Sequence, residues 1–330
     1  MITAYVKIDE RVSAIPLQEI SDLPEQTVWL DLLNPSRSEE QIIESFLGIE
    51  VPTSQEITEI EDSSRFYRRG ENVYLTPSLL IRLESGQPSS TDVRLILTPA
   101  TVISVRYVDA KHFRVFANRM ARNATNTDSS DALMERMLEL MVDDLADILE
   151  ATALDLDRLS RRVFFSVAPN NHATRGDKED VDLKEILTEV GVYGELVSEA
   201  RVSVLNMNRL IIFLTQSGDE WWKSDTKLRL QTIMRDVRSL TEHASFLANR
   251  VNFILDGTLG MINIEQNNII KIFSVAAVMF LPPTLIASIF GMNFKHMPEL
   301  QWTLGYPLAI LAIIISALLP FFYFKRRGWL

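Results

Sequence analysis

Gly291-Met292-Asn293, and the polar residues leading up to it, are the groups whose types and spacing carry chemistry in this chain. Asn267, Ile270, Ser274, Ala277, Leu281, Thr284 and Ser288 recur every three or four residues, so on a helix they share one face. That face presents hydroxyl and amide groups within an apolar stretch, where a polar group that meets only lipid is costly. Such groups hydrogen-bond to water and to hydrated ions. The competing reading is that small polar residues let helices pack closely. The Gly-Met-Asn at the end of the stretch favours the lining of a wet path. Bond-making chemistry has no comparable set. No nucleophile elbow, Gly-rich phosphate loop or dinucleotide fingerprint occurs, so the chain does not read as an enzyme.

Two apolar runs must position these residues. Residues 272–294 contain no charge, and neither do residues 303–324. Each run is about long enough to cross a bilayer core of ~30 Å at ~1.5 Å per helical residue. Gly291-Met292-Asn293 then sits where the first span leaves the membrane, and Met297-Pro298-Glu299-Leu300 forms the short connection to the second. Ile270 and Phe273 are the bulkiest groups near the opposite end of the polar face. Val275, Val278, Met279, Ile286 and Ile289 fall largely elsewhere and suit lipid or the second span. Pro282 and Pro283 remove two backbone donors, so carbonyls around Val278 and Met279 need other partners or water. Two spans cannot enclose a hydrated path, so the smallest conducting assembly is a ring of identical chains.

Orientation follows from charge. Lys325-Arg326-Arg327 borders the second span and belongs on the cytoplasmic side, with Tyr323 and Trp329 as interfacial anchors. The N-terminus opens on a strand-like alternation over residues 1–8 rather than a leader pattern, which places it in the cytoplasm as well.

The rest of the chain reads as one large polar domain. A net charge of −11 disfavours a nucleic-acid partner, and an acidic surface suits cations or simply confers solubility. Cysteine is absent, and His112, His172, His243 and His296 form no pair on one helix, which argues against a built-in zinc or copper site. Residues 1–125 read as mixed α/β. Strand patterns cover 27–33, 73–75 and 78–81, a helix with capping signals covers 36–46, and 93–97 with 101–107 reads as a hairpin. This mostly antiparallel order argues against a Rossmann unit. Helical periodicity then takes over at 133–165 and 181–216. A third run starts near Trp221 and has no proline before Pro282, so it reaches into the first span. Helices of this length need one another or copies of themselves. Between Met137 and Asp157 lie seven carboxylates and no basic residue, with Asp143, Asp147 and Glu150 on one face. A solvated surface is the ordinary reading of such a face.

Gly291-Met292-Asn293 between two spans, the Met-Pro-Glu-Leu connection, residues 263–267 (Asn-Ile-Glu-Gln-Asn), residues 280–284 (Phe-Leu-Pro-Pro-Thr) and the basic tail together resemble the CorA family of magnesium channels and transporters. The match is close from about residue 252 to the C-terminus and is one of layout before about residue 230. The resemblance implies a funnel-shaped homo-oligomer, a homopentamer, in a bacterial inner membrane. It would carry Mg²⁺, and possible cargo extends to Co²⁺ and Ni²⁺, down the electrochemical gradient. It implies that Gly291, Met292 and Asn293 form the selectivity filter. Magnesium dehydrates reluctantly, so a ring of Asn293 carbonyls would accept hydrogen bonds from the ion's own water shell. Ile270 and Phe273 match the family's hydrophobic constriction, which gates by dewetting. Divalent ions between cytoplasmic domains hold family members shut. By position, Asp155 and Asp236 are the nearest matches to those ligands, and Asp143 and Asp147 offer the same chemistry. Two positions depart from the family: Phe290 stands where a Tyr usually precedes the motif, and Lys295 stands where a Glu is common, beside Glu299.

The expected fold is thus an α+β cytoplasmic domain, long α-helices and two C-terminal transmembrane helices. The expected boundaries are 1–125 for the α/β domain, 126–218 for a helical hairpin and 219–271 for the cytoplasmic stalk. Residues 272–294 form the pore-lining span, 295–303 the periplasmic loop, 304–324 the second span and 325–330 the basic tail. The rivals are a zinc or efflux-type relative and a membrane-anchored cytoplasmic sensor that conducts nothing. Met292 and the lack of clustered His argue against the first, and polar residues at helical spacing in the first span argue against the second.

Overall fold

The computed structural model describes residues 1–8, 11–17, 23–24, 26–49, 65–82, 88–122, 129–165, 182–217, 222–292, 298 and 302–329. Two compact units are present, Met1–Lys178 with Lys184–Ile254, and Glu179–Leu183 with Leu255–Leu330.

In the larger unit, β1 (Ile2–Ile8) turns alternate residues inward, as a half-buried strand must. It lies between β2 (Arg11–Leu17) and β3 (Thr27–Leu33). After β3 comes α1 (Arg37–Leu47), which Ser36 opens with a capping box to Glu39 and Gly48 closes at φ 61°. The chain continues through β4 (Phe66–Arg69), β5 (Asn72–Leu75), β6 (Ser78–Arg82), β7 (Pro88–Asp92), β8 (Arg94–Leu97), β9 (Val102–Arg106) and α2 (Lys111–Arg122). Seven strands form one sheet in the order β2-β1-β3-β9-β8-β5-β4, and β6 pairs with β7. Among the described strands only β3 and β9 run parallel; β8 and β9 form the expected antiparallel pair. One core gathers Ile2, Ala4, Leu30, Leu32, Ile103 and Val105 with Ile43 of α1. The helix α2 contributes buried Phe113, Phe116 and Met120, and Phe113 and Phe116 pack against Trp29 of β3.

At the centre of the sheet lies a charged pair. Arg106 donates to Asp31 from Nη2 at 2.8 Å and from Nε at 3.0 Å, and both side chains are 6% exposed. Ser104 Oγ donates to Asp31 at 2.6 Å and accepts from Trp29 Nε1 at 2.9 Å. The Arg106 guanidinium also lies over the Phe113 ring. Burial works against its charge, but Asp31 and Asp109 outweigh burial and hold its pKa above the ordinary value. Burial, reinforced by the Asp31 charge, pushes the Tyr5 hydroxyl up to about 12.

Long helices follow. These are α3 (Ser130–Phe165), α4 (Leu183–Ser217), α5 (Ser224–Phe290) and α6 (Gly305–Arg326). On α5, Leu230, Ile233, Val237, Ala244, Leu247, Val251 and Ile254 form a buried stripe at three- and four-residue spacing. Polar contacts fix the helices to one another. Asp131 of α3 accepts from Lys223 N at 3.2 Å and Thr226 Oγ1 at 3.0 Å, which satisfies donors at the start of α5. Arg162 of α3 pairs with Glu189 of α4 at 2.7 Å, and Arg250 of α5 pairs with Asp157 of α3. The helix α5 is continuous for 67 residues, about 100 Å at ~1.5 Å per residue. It contains Pro282 and Pro283, as the sequence leads one to expect of the third helical run.

Candidate functional site

The smaller unit holds the C-terminal part of α5 and all of α6, and both helices are long and apolar enough to cross a membrane. Their covered faces are narrow. On α5, Val275 is buried, and Met279, Pro282, Ile286 and Phe290 are half-buried. On α6, Gly305, Ala309, Ile313, Ser316 and Pro320 are the matching half-covered stripe. Three of these five are small, which suits close approach of two helices.

The seven residues singled out for the polar face behave alike. Asn267, Ile270, Ser274, Ala277, Leu281, Thr284 and Ser288 are all exposed in the single chain. At 3.6 residues per turn their stripe is centred roughly 150° from the covered one. Phe273, at 71% exposure, flanks it near Ile270. The polar face therefore points away from the covered side of α5. Val278 and Ile289 are exposed beside it, whereas Val275, Met279 and Ile286 lie on the covered side. The Thr284 hydroxyl donates to the Phe280 carbonyl at 2.7 Å, so what it offers outward is lone pairs.

Gly291 ends α5. Its N–H donates to Ala287 O at 2.9 Å, and a Cβ added there would stand 3.2 Å from that same oxygen. A side chain at this position would be tight against that carbonyl, and the glycine's φ is not in the left-handed region. Met292 is 45% exposed. Asn293, Lys295 and Glu299 lie outside the described residues. Phe290 falls on the covered stripe, so the hydroxyl that it lacks relative to a tyrosine is lost from the helix-packing side rather than from the polar face.

The carboxylates separate into two kinds. Asp143 and Asp147 of α3 and Asp236 of α5 are exposed, and Asp143 feels the charge of the other two. Burial raises the pKa of Asp143; Arg119 opposes this, and Asp147 and Asp236 add to it. Asp155 is occupied differently, pairing with Arg158 at 3.0 Å and interacting with the Tyr193 hydroxyl. Among the described residues of one chain, no group of three His, Asp or Glu converges tightly enough to hold a metal ion. Sequence reasoning passed over His112, buried on α2 with its Nδ1 3.7 Å from the Asp144 carboxylate. Its position in a Phe113-Phe116-Met120 stripe was the available signal.

Comparison with known proteins extends over the whole chain. The family model described as CorA-like Mg2+ transporter protein matches residues 24–326. Magnesium transport protein CorA of Yersinia pestis is 33% identical over 331 residues, covering 100% of both chains. Its counterpart from Escherichia coli (strain K12) is 32% identical over 330 residues with the same full coverage. The complete structure of the CorA magnesium transporter from Methanocaldococcus jannaschii superposes with a TM-score of 0.78 over 100% of this chain and 99% of that one, at 16% identity. Full-length matches in sequence, in fold and in the two membrane-length helices agree, and the chain belongs to the CorA-like Mg²⁺ transporter family.

Proposed function

We propose that this chain assembles into a homopentameric channel that passes Mg²⁺, and also Co²⁺ and Ni²⁺, across a bacterial inner membrane. The observation that carries the reading is the exposed stripe from Asn267 to Ser288, opposite the covered side of α5 and leading to Gly291. In a ring of copies each α5 turns this stripe to a central path, and α6 stands outside it against lipid. Residues 272–294 and 304–324 are the two spans, 295–303 is the periplasmic loop, and both termini are cytoplasmic. The α/β domain of residues 1–125, the helical hairpin of 126–218 and the stalk of 219–271 stay in the cytoplasm with the 325–330 tail.

Conduction needs no chemical fuel. A membrane potential contributes ~2.3 kcal/mol per charge per 100 mV, hence ~4.6 kcal/mol for a divalent ion. Ile270 and Phe273 close the path by dewetting when the ring is tight. Asn293, with Gly291 and Met292 shaping its backbone, accepts hydrogen bonds from the hydrated ion. Glu299 pairs with Lys295 to hold the loop.

Intracellular divalent ions keep the ring closed. The repulsion that Asp147 and Asp236 exert on Asp143 supports this, because a shared cation would relieve it. In this reading the ion is shared between carboxylates of neighbouring copies. Asp155 contributes once it is released from Arg158.

The test is Mg²⁺ flux into liposomes carrying the purified protein beside an Asn293→Ala variant. Flux in the wild type that is lost in an intact, assembled variant is the expected result. Equal flux in both removes Asn293 from the filter. No wild-type flux at low internal Mg²⁺ replaces the channel with a membrane-anchored sensor.

A further inference from the structure

A cleft of about 310 Å³ opens between α2 and α3, and none of the residues assigned above to conduction lines it. Three guanidinium groups line it: Arg119 and Arg122 from the last turn of α2, and Arg136 from the second turn of α3. This concentrates positive charge on a chain whose net charge is −11. Arg122 has no hydrogen-bond or ion-pair partner among the described residues, and Arg119 reaches Asp143 only through its field. Solvated arginines at a helix C-terminus are commonplace, since they complement the helix dipole. What sets these apart is the floor between them, formed by Phe116, Met120 and Leu140, all at most 8% exposed. One carboxylate, Glu139, joins the lining.

We propose that this cleft binds a small phosphorylated metabolite the size of a nucleoside monophosphate. Planar guanidinium forks match phosphate oxygens in pairs, which lysines or a lone arginine would not do as well. The carboxyl end of α2 contributes about half an elementary negative charge, and three arginines outweigh it. The apolar floor receives the flat organic part of the ligand, and Glu139 accepts hydrogen bonds from its hydroxyl or amino groups. That carboxylate disfavours bare inorganic phosphate. The volume lies at the lower end of the ~300–1,000 Å³ usual for ligand pockets, which excludes a dinucleotide.

The experiment is calorimetric titration of the full-length protein in detergent, with AMP and inorganic phosphate as probes at a fixed excess of Mg²⁺. The expected result is saturable binding of one AMP per chain, weakened by salt, with inorganic phosphate at least about tenfold weaker. Arg122→Gln should lower AMP affinity about tenfold or more, since one charge-assisted contact is lost. Arg119→Gln should act alike. Arg122 is exposed, so its replacement leaves folding intact, which an unchanged melting temperature checks. Arg201→Gln, in a separate groove between α4 and α5, should leave binding unchanged. The proposal is overturned by no saturable AMP binding to the wild type, as when a neighbouring copy fills the cleft. It is equally overturned if Arg122→Gln and Arg201→Gln behave alike, or if inorganic phosphate binds as tightly as AMP.

Discussion

Two ion pairs of similar length give this protein an internal control on what burial does to electrostatics. Arg106 and Asp31 meet at 2.8 Å with each side chain 6% exposed. Arg158 and Asp155 meet at 3.0 Å with Arg158 77% exposed. Replacing Arg106 by Met leaves a buried carboxylate with Ser104 as its one remaining donor among those described. An orphaned buried charge costs about 3–5 kcal/mol, whereas loss of a surface pair costs about 0–1 kcal/mol. Folding free energies of domains are about 5–15 kcal/mol, so the first change threatens the α/β domain and the second does not. In equilibrium terms orphaning Asp31 shifts folding by roughly two to four orders of magnitude. The assay is thermal and urea unfolding of the full-length protein, followed by tryptophan fluorescence, in which fully buried Trp29 reports on this sheet. The double variant Asp31→Leu/Arg106→Met removes both charges and should recover at least half the loss, because most of the penalty is desolvation of the survivor. If Arg106→Met and Arg158→Met shift the transition equally, burial does not govern these pairs and the reasoning fails.

Asp143 gives a pH dependence. Burial and the Asp147 and Asp236 charges raise its pKa against the pull of Arg119, so the folded state binds this proton more tightly than the unfolded chain. Its contribution is present at low pH and is lost as pH rises through the raised value. Melting temperatures measured in chelator from about pH 4 to about pH 7 should therefore fall more steeply for the wild type than for Asp143→Asn; parallel slopes would remove the carboxylate cluster from the account. At the mouth, Gly291→Ala gains ~1 kcal/mol in helix propensity but forces a methyl to 3.2 Å from the Ala287 carbonyl, which costs ~1–3 kcal/mol. The expected outcome is a melting temperature close to the wild type's together with reduced Mg²⁺ flux. Wild-type flux would show that the mouth tolerates the added methyl.

The long helices and the polar stripe were legible because both depend on one period, that of the α-helix. The hairpin of β8 and β9 was legible because Thr98-Pro99-Ala100 separates two apolar runs. What escaped was whatever lacks an apolar run of its own. The strand β2 sits at a sheet edge with only Val12 fully buried, and β7 (Pro-Ser-Ser-Thr-Asp) pairs through its backbone with no hydrophobic residue. The helix α2 hides three buried apolar residues among three arginines and a lysine. At the candidate site, the shared field of Asp143 and Asp236 joins residues from different helices, which no spacing rule reveals. Asp155, by position a nearest match to the family's ligands, is instead paired with Arg158, which its place in the acidic run does not reveal.

Along α5, every residue from 263 to 274 is exposed in the single chain. A helix with no covered face gains nothing from tertiary packing, and helix propensity alone leaves it marginal. In the proposed ring, copies of the chain would supply the burial, and folding of this collar and association would then be one event governed by mass action. Dilution should melt the collar before it melts the α/β domain. Genetics should feel the same constraint. A variant that still associates enters mixed rings with wild-type copies, and the fraction of rings free of it falls as the wild-type fraction raised to the number of subunits. Defects on the polar stripe should therefore be dominant, while defects that prevent association should be recessive.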